Sequence, residues 1–247
     1  MPRYKFTVEY DGTDLVGWQR QDNGLSVQEI IEKAAGKLAP RQKEIVVHAA
    51  GRTDAGVHAL GQAAHIDLDE EIRPDKVRDG LNAYIRPHRV SILTSELVDD
   101  EFHARFSAKE RAYQYRILNR RGAAALDKGR VWEIRQPLDV EAMHEAAQVL
   151  VGNHDFTSFR ATVCQANTPV KTLDLVNVRR VGEEIHVDVR ARSFLHHMVR
   201  NIVGTLKLVG EGKWTIEDVK TALEARHRSA GGPTAPAYGL YLTEVKY

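Results

Sequence analysis

The stretch Ile45-Val46-Val47-His48-Ala49-Ala50-Gly51-Arg52-Thr53-Asp54-Ala55-Gly56-Val57-His58-Ala59-Leu60-Gly61-Gln62-Ala63-Ala64-His65-Ile66 sets apolar segments on either side of a short charged window. Ile45-Val46-Val47 and Ala63-Ala64-His65-Ile66 read as strands, which makes Gly51 to His58 the connection between them. Connections held by rigid strands are where reactive groups concentrate. Gly51 and Gly56 permit backbone angles closed to other residues, so the chain can bend sharply and a ligand can approach the main chain. Arg52 lies two residues from Asp54, near enough to pair with it or to hold a phosphate. An aspartate in a Thr-Asp-Ala-Gly turn also has a plain structural use, hydrogen bonding to its own backbone. Local chemistry leaves both uses open.

Outward from this loop the pattern is regular. Tyr4, Phe6, Val8 and Tyr10 alternate with Lys5, Thr7 and Glu9, as in a strand with one buried face. Residues 11–24 are turn-rich and carry Trp18-Gln19-Arg20, a solvated or ligand-contacting loop. Ser26 and Glu29 form a capping box ahead of Val27, Ile30, Ile31, Ala34, Ala35 and Leu38, which share one helical face, and Pro40 closes that helix. Strands near 44–49 and 62–68 flank the Asp54 loop. A shorter helix opens at Pro74-Asp75 and runs through Val77, Leu81 and Tyr84, and Val90, Ile92 and Leu93 suggest a strand. The first half therefore reads β-α-β-β-α-β, the ferredoxin-like order.

The second half gives the same succession: a strand near 111–118, a helix over 139–151, strands near 170–180 and 184–193, a helix over 196–209 and a last strand near 239–246. An extra helix is capped by Thr215 and Asp218. The fold class expected is α+β, two ferredoxin-like halves over 1–105 and 106–247, with no residue-level repeat between them.

Composition narrows the function. Hydrophobic residues make up 43 % and charged residues 28 % of the 247, and nothing approaches the ~20 apolar residues that span a bilayer. Met1-Pro2-Arg3-Tyr4-Lys5 lacks the apolar run of a signal peptide, so a cytoplasmic location is expected and no membrane partner. Cys164 is the only cysteine, which excludes an internal disulfide and a multi-cysteine zinc site. A net charge of +1 gives no global signature of a polyanionic partner. Such a partner would need the positive charge gathered on one surface and offset elsewhere, for example by Asp67-Leu68-Asp69-Glu70-Glu71.

Several motifs fail. Gly12 and Gly17 have the outer spacing of a P-loop, but Trp18 and Gln19 stand where Lys and Ser or Thr are required. His144-Glu145-Ala146-Ala147-Gln148 lacks the second His of a zinc-protease helix, and no Gly-x-Gly-x-x-Gly follows a strand. His196 and His197, as neighbours on a helix, would diverge by about 100° and not share a metal.

Ala50-Gly51-Arg52-Thr53-Asp54-Ala55-Gly56-Val57-His58-Ala59, with Gly61-Gln62, resembles the catalytic motif of the tRNA pseudouridine synthase A family. The resemblance extends in order through Gly17-Trp18-Gln19-Arg20-Gln21, Phe102-His103-Ala104-Arg105-Phe106-Ser107-Ala108, Asp155-Phe156-Thr157-Ser158-Phe159 and Phe194-Leu195-His196-His197-Met198-Val199-Arg200-Asn201-Ile202-Val203-Gly204. It implies two sheets joined into one, with an active-site cleft between the halves. It further implies a homodimer that isomerises uridine at positions 38 to 40 of the tRNA anticodon stem-loop, using neither cofactor nor metal. By the same resemblance Asp54 is the nucleophile, Arg200 its partner cation, and Tyr113 of Arg111-Ala112-Tyr113-Gln114-Tyr115 the active-site aromatic, while Arg52 engages RNA phosphate. Tyr113 and Tyr115 share one face of a strand and on spacing alone could equally be core. Gln114 stands where many relatives carry Arg. Arg20, His58, Arg105 and Arg160 are candidate phosphate contacts, each also compatible with a solvated surface charge. Two rival functions are a tRNA-binding or chaperoning protein without turnover, and an Asp-dependent hydrolase, for which no second carboxylate is evident.

Overall fold

The computed structural model describes residues 1–164 and 166–247. The chain packs as two compact units, Met1–Lys109 with Tyr241–Tyr247, and Glu110–Leu240. The strand expected to end the second domain, 106–247, is thus spent on the first unit.

The first unit runs β1 (Arg3–Tyr10), α1 (Val27–Leu38), β2 (His48–Ala49), β3 (His58–Asp67), α2 (Pro74–Ile85) and β4 (Val90–Val98). β1 lies between β4 and β3, antiparallel to both, and β2 pairs antiparallel with the other edge of β3. That is the ferredoxin-like order. β10 (Leu240–Lys246) shares this edge, pairing parallel to β3 with Tyr241 opposite His58 and Leu242 opposite Ala59. The alternation in β1 buries Tyr4, Phe6, Val8 and Tyr10. α1 buries Val27, Ile30, Ile31, Ala34 and Ala35, and Ser26 caps it by accepting the Glu29 N–H at 3.2 Å. The Glu29 carboxylate turns instead to Lys33, at 2.7 Å. α1 packs on α2, and α2 on β4. α2 buries Val77, Leu81 and Ile85, leaving Tyr84 exposed beneath the Lys37 ammonium.

The strand expected near 44–49 shrinks to His48–Ala49. Ile45 and Val47 still point inward and Val46 outward. However, the Val47 N–H donates to the Glu32 carboxylate at 3.2 Å, and its carbonyl accepts from the Gln28 amide at 3.4 Å. Side chains from α1 thereby take the bonds a neighbouring strand would have made.

The second unit runs β5 (Glu110–Leu118), β6 (Trp132–Glu133), α3 (Val140–Gln148), β7 (Gly152–Asp155), β8 (Val170–Val181), β9 (Glu184–Ala191), α4 (Met198–Gly210) and α5 (Ile216–Glu224). Its sheet order is β5-β9-β8-β7, antiparallel throughout, with β6 added parallel to β5. Tyr115, Ile117, Phe156, Phe159, Met143 and Leu206 are fully buried in its core. α5 carries the complete capping box: Thr215 Oγ1 accepts the Asp218 N–H at 3.3 Å, and the Asp218 carboxylate accepts the Thr215 N–H at 2.7 Å. Among the described residues no helix is long and apolar enough to cross a membrane.

Candidate active site

Asp54 sits half-buried in the loop between β2 and β3, which contacts from β1, β3 and the β1–α1 connection brace. Thr53 is buried, and its hydroxyl lies 2.8 Å from the Tyr10 hydroxyl at the end of β1. Its carbonyl accepts the Trp18 N–H at 3.1 Å, and the Asp54 carbonyl accepts the Val57 N–H at 3.1 Å. Gln62, fully buried on β3, donates its side-chain amide to the Gly51 carbonyl at 2.8 Å.

The chain between β1 and α1 closes over this loop from the other side. Gly17 has φ 101°, and a Cβ there would fall 2.4 Å from the Thr53 carbonyl oxygen, so only glycine lets the two backbones meet. Trp18 is therefore core rather than surface, 3 % exposed and tilted against Tyr10 at 6.0 Å.

His58, expected among the phosphate contacts, is corrected by its burial. It is 2 % exposed and stacks on Tyr241 of β10 at 4.8 Å. Its Nδ1 accepts the Gly12 N–H at 3.0 Å, which puts the ring proton on Nε2. An Asp11 carboxylate oxygen also lies 3.2 Å from Nδ1, and the other Asp11 oxygen pairs with Arg89 at 2.9 Å. His58 supports the loop from inside and is sealed from phosphate.

Arg52 is different. It is exposed, and among the described residues its side chain makes no ion pair or hydrogen bond, so a full cation stands two residues from Asp54. Arg20 is exposed too, 3.7 Å from Glu32, with its N–H on the Gln28 side chain. Arg105 is exposed beside the Phe106 ring.

In the second unit Tyr113 and Tyr115 share a face of β5, and their surroundings differ. Tyr115 is fully buried, donates its hydroxyl to the Pro236 carbonyl at 2.8 Å, and has its pKa driven up by burial. Gly239 passes so close that a Cβ would meet the Tyr115 ring at 2.6 Å. Tyr113 is 9 % exposed, with its ring edge-on to Phe194 at 5.0 Å. Gln114 points to the opposite face and donates to Asp188 at 2.8 Å, a carboxylate that also receives Arg179 at 3.1 Å. In this chain position 114 is a cross-strand contact.

Arg200 lies in the first turn of α4, half-buried, and its Nε donates to the Ala235 carbonyl at 2.8 Å. Its own carbonyl accepts the Ala235 N–H at 3.1 Å, so the helix start and residues 233–236 fix each other. α4 begins two residues later than expected because His197 adopts φ 61°. The rings of His196 and His197 consequently lie 4.0 Å apart instead of diverging as on a helix.

Arg160 lines a separate cleft of about 710 Å³ with Thr157, His227, Arg228 and Ser229. Arg228, which the sequence did not single out, is held there by Asn201 and Thr234, each at 3.1 Å. Tyr10, Trp18 and Gln62 were also missed as supports of the Asp54 loop. Gly61-Gln62 lay beside the motif as the available signal.

A half-buried carboxylate in a braced strand-to-strand loop of an α+β fold is a candidate reactive group. Residues 7–107 and 146–247 match the family model described as tRNA pseudouridine synthase. Relatives named tRNA pseudouridine synthase A from Rhodospirillum centenum and Paramagnetospirillum magneticum are 61 % and 60 % identical over all of this chain, covering 100 % and 96 % of their own. One from Afipia carboxidovorans is 58 % identical over the full length of both. The chain belongs to the tRNA pseudouridine synthase family.

Proposed function

We infer that this chain isomerises uridine to pseudouridine in tRNA, with Asp54 as the nucleophile. The observation that carries the reading is the family match across the chain, 61 % identity over 247 residues, with Asp54 held in a loop braced on both sides. In the reaction the N1–C1′ bond breaks, the uracil turns, a C5–C1′ bond forms, the C5 proton leaves and N1 takes up a proton, so the product is an isomer of uridine. The carboxylate must be ionised to act, and burial in a cleft opposes that. In this reading Arg200 supplies the balancing charge: at ~4 Å an opposite charge contributes about 4 kcal/mol at an effective dielectric of ~20.

A base inside a stem must first be taken out of its stack, at a cost of a few kcal/mol. Stacking on Tyr113 returns ~1–3 kcal/mol, and phosphate contacts supply the remainder. Arg52 fits that work best, being exposed and making no ion pair or side-chain hydrogen bond among the described residues. Arg20, Arg105 and Arg160 are further contacts in this reading. The proposed targets are positions 38 to 40 of the anticodon stem-loop, read through shape and backbone. The proposed assembly is a homodimer in the cytoplasm.

Incubation with unmodified tRNA followed by mapping of pseudouridine tests this directly. Product at positions 38 to 40 is expected. Tight tRNA binding with no product would replace the enzyme by an RNA-binding protein.

A further inference from the structure

The second unit carries a cleft that this reading does not use. It opens where β5 ends, has a volume of about 770 Å³, and is lined by Asn119, Arg120, Arg121, Arg135, Gln136 and Arg180. Asn119 organises its floor. The Asn119 amide donates to the carbonyls of Ile134 at 3.0 Å and Gln136 at 2.7 Å, and its oxygen accepts from the Leu138 N–H at 3.3 Å and the Arg180 guanidinium at 3.1 Å. Arg180 donates also to the Leu138 carbonyl at 3.3 Å. Both acceptors are neutral, so this cation is fixed in direction while its charge stays uncompensated.

Among the described residues, Arg120 is the one lining arginine that makes an ion pair, with Glu183 at 2.5 Å. Arg121 and Arg135 are exposed and make no ion pair or side-chain hydrogen bond among the described residues. Of the nearby acids, Asp139 caps α3 through the Ala142 N–H at 3.0 Å and Glu183 is taken by Arg120. Three guanidinium groups with no carboxylate partner among the described residues, around one concavity, select closely spaced oxyanions, and arginine matches phosphate geometry with paired donors. In a chain whose net charge is only +1, this is a marked local concentration of positive charge.

Asn119 lies six residues beyond Tyr113 along extended chain, roughly 20 Å at ~3.4 Å per residue. One nucleotide cannot touch both, but the backbone of a folded RNA can. We propose that this cleft is a second RNA-binding site, in which Arg121, Arg135 and Arg180 hold tRNA backbone phosphates about 20 Å from the residue that stacks on the target base. The proposal rests on the tRNA reading above.

The test is the salt dependence of tRNA affinity for wild type, Arg121→Ala/Arg135→Ala and Arg121→Lys/Arg135→Lys. Each lost phosphate contact removes ~0.7–0.9 from the slope of log affinity against log salt. The alanine pair should therefore flatten the slope by about 1.5 and weaken low-salt binding about tenfold or more. The lysine pair should keep most of the slope. An alanine pair with wild-type slope and affinity overturns the site, as does tripolyphosphate binding that the alanine pair abolishes while tRNA binding stays unchanged. Pseudouridine formation by wild type is scored separately. Product with an unchanged slope removes this site alone, whereas a flattened slope without product leaves the site standing and removes the catalytic reading.

Discussion

Around Asp54 the supporting groups are buried and each commits a polar atom to the loop or its neighbours. Thr53 meets Tyr10, Gln62 holds the Gly51 carbonyl, and His58 accepts from Gly12. In the cleft at the end of β5 the reverse holds, since Arg121, Arg135 and Arg180 face solvent and Arg180 is held by neutral acceptors, Asn119 and the Leu138 carbonyl. A buried, hydrogen-bonded shell holds one side chain to a narrow geometry, which chemistry requires. An exposed set of long cations adapts to a polyanion and contributes affinity that salt erodes. The contrast predicts that changes in the first region act on turnover and stability, and changes in the second on binding.

The largest effect should come from Asp54→Asn. Turnover should fall at least ~10³-fold, about 4 kcal/mol of transition-state stabilisation, with tRNA affinity within a few-fold of wild type. Single-turnover assays and filter binding measure the two; activity within tenfold of wild type would break the nucleophile assignment.

Acid should loosen the braced unit first. His65 is buried on β3, stacks on His48 at 5.0 Å, lies edge-on to His103 at 4.8 Å, and accepts the Ala104 N–H on Nδ1 at 3.1 Å. Burial, then the charges of His48, Arg3 and His103, hold its pKa down to about 4. Between pH ~6.5 and ~4 the unfolded chain takes up a proton that the folded chain refuses, so stability is full above that window and declines through it, by up to about 3 kcal/mol at pH 4. Urea titrations across this range should show the decline, and His65→Asn should flatten it. An unchanged pH slope in that variant would remove His65 from the account.

Gly17→Ala comes next. A positive φ combined with a Cβ 2.4 Å from the Thr53 oxygen should cost about 2 kcal/mol. Because the strain falls on the residue beside Asp54, kcat should drop further than global stability alone explains. An equal-sized loss of stability with normal kcat would mean that the loop tolerates displacement. Tyr10→Phe should cost about 1 kcal/mol through the lost bond to Thr53, read by urea denaturation, with a few-fold fall in kcat.

The alternation in β1, the apolar face of α1 and the order β-α-β-β-α-β were legible because they are local patterns. Residues 44–47 misled because their inward-outward alternation is genuine, while the partner of the Val47 N–H is a glutamate fifteen positions away on a helix. β6 and β7 were invisible, being two and four residues long with no alternating run. Asp54, Tyr113 and Arg200 came from motif resemblance, which transfers residue identities but not their surroundings. It could not show that His58 turns inward onto Tyr241. Nor could any window of sequence reveal the arginine cleft, since Arg120 and Arg180 approach only when β5, β9 and β8 pair in register.

The return of Tyr241–Tyr247 to the first unit has a consequence for biosynthesis. The edge of β3 that carries His58 stays open until Glu110–Leu240 has been translated and the following strand arrives. A nascent chain emerging from the ribosome, itself crowded with RNA, therefore holds the Asp54 loop without its support from β10, and that loop acquires its final setting only as synthesis reaches the last strand.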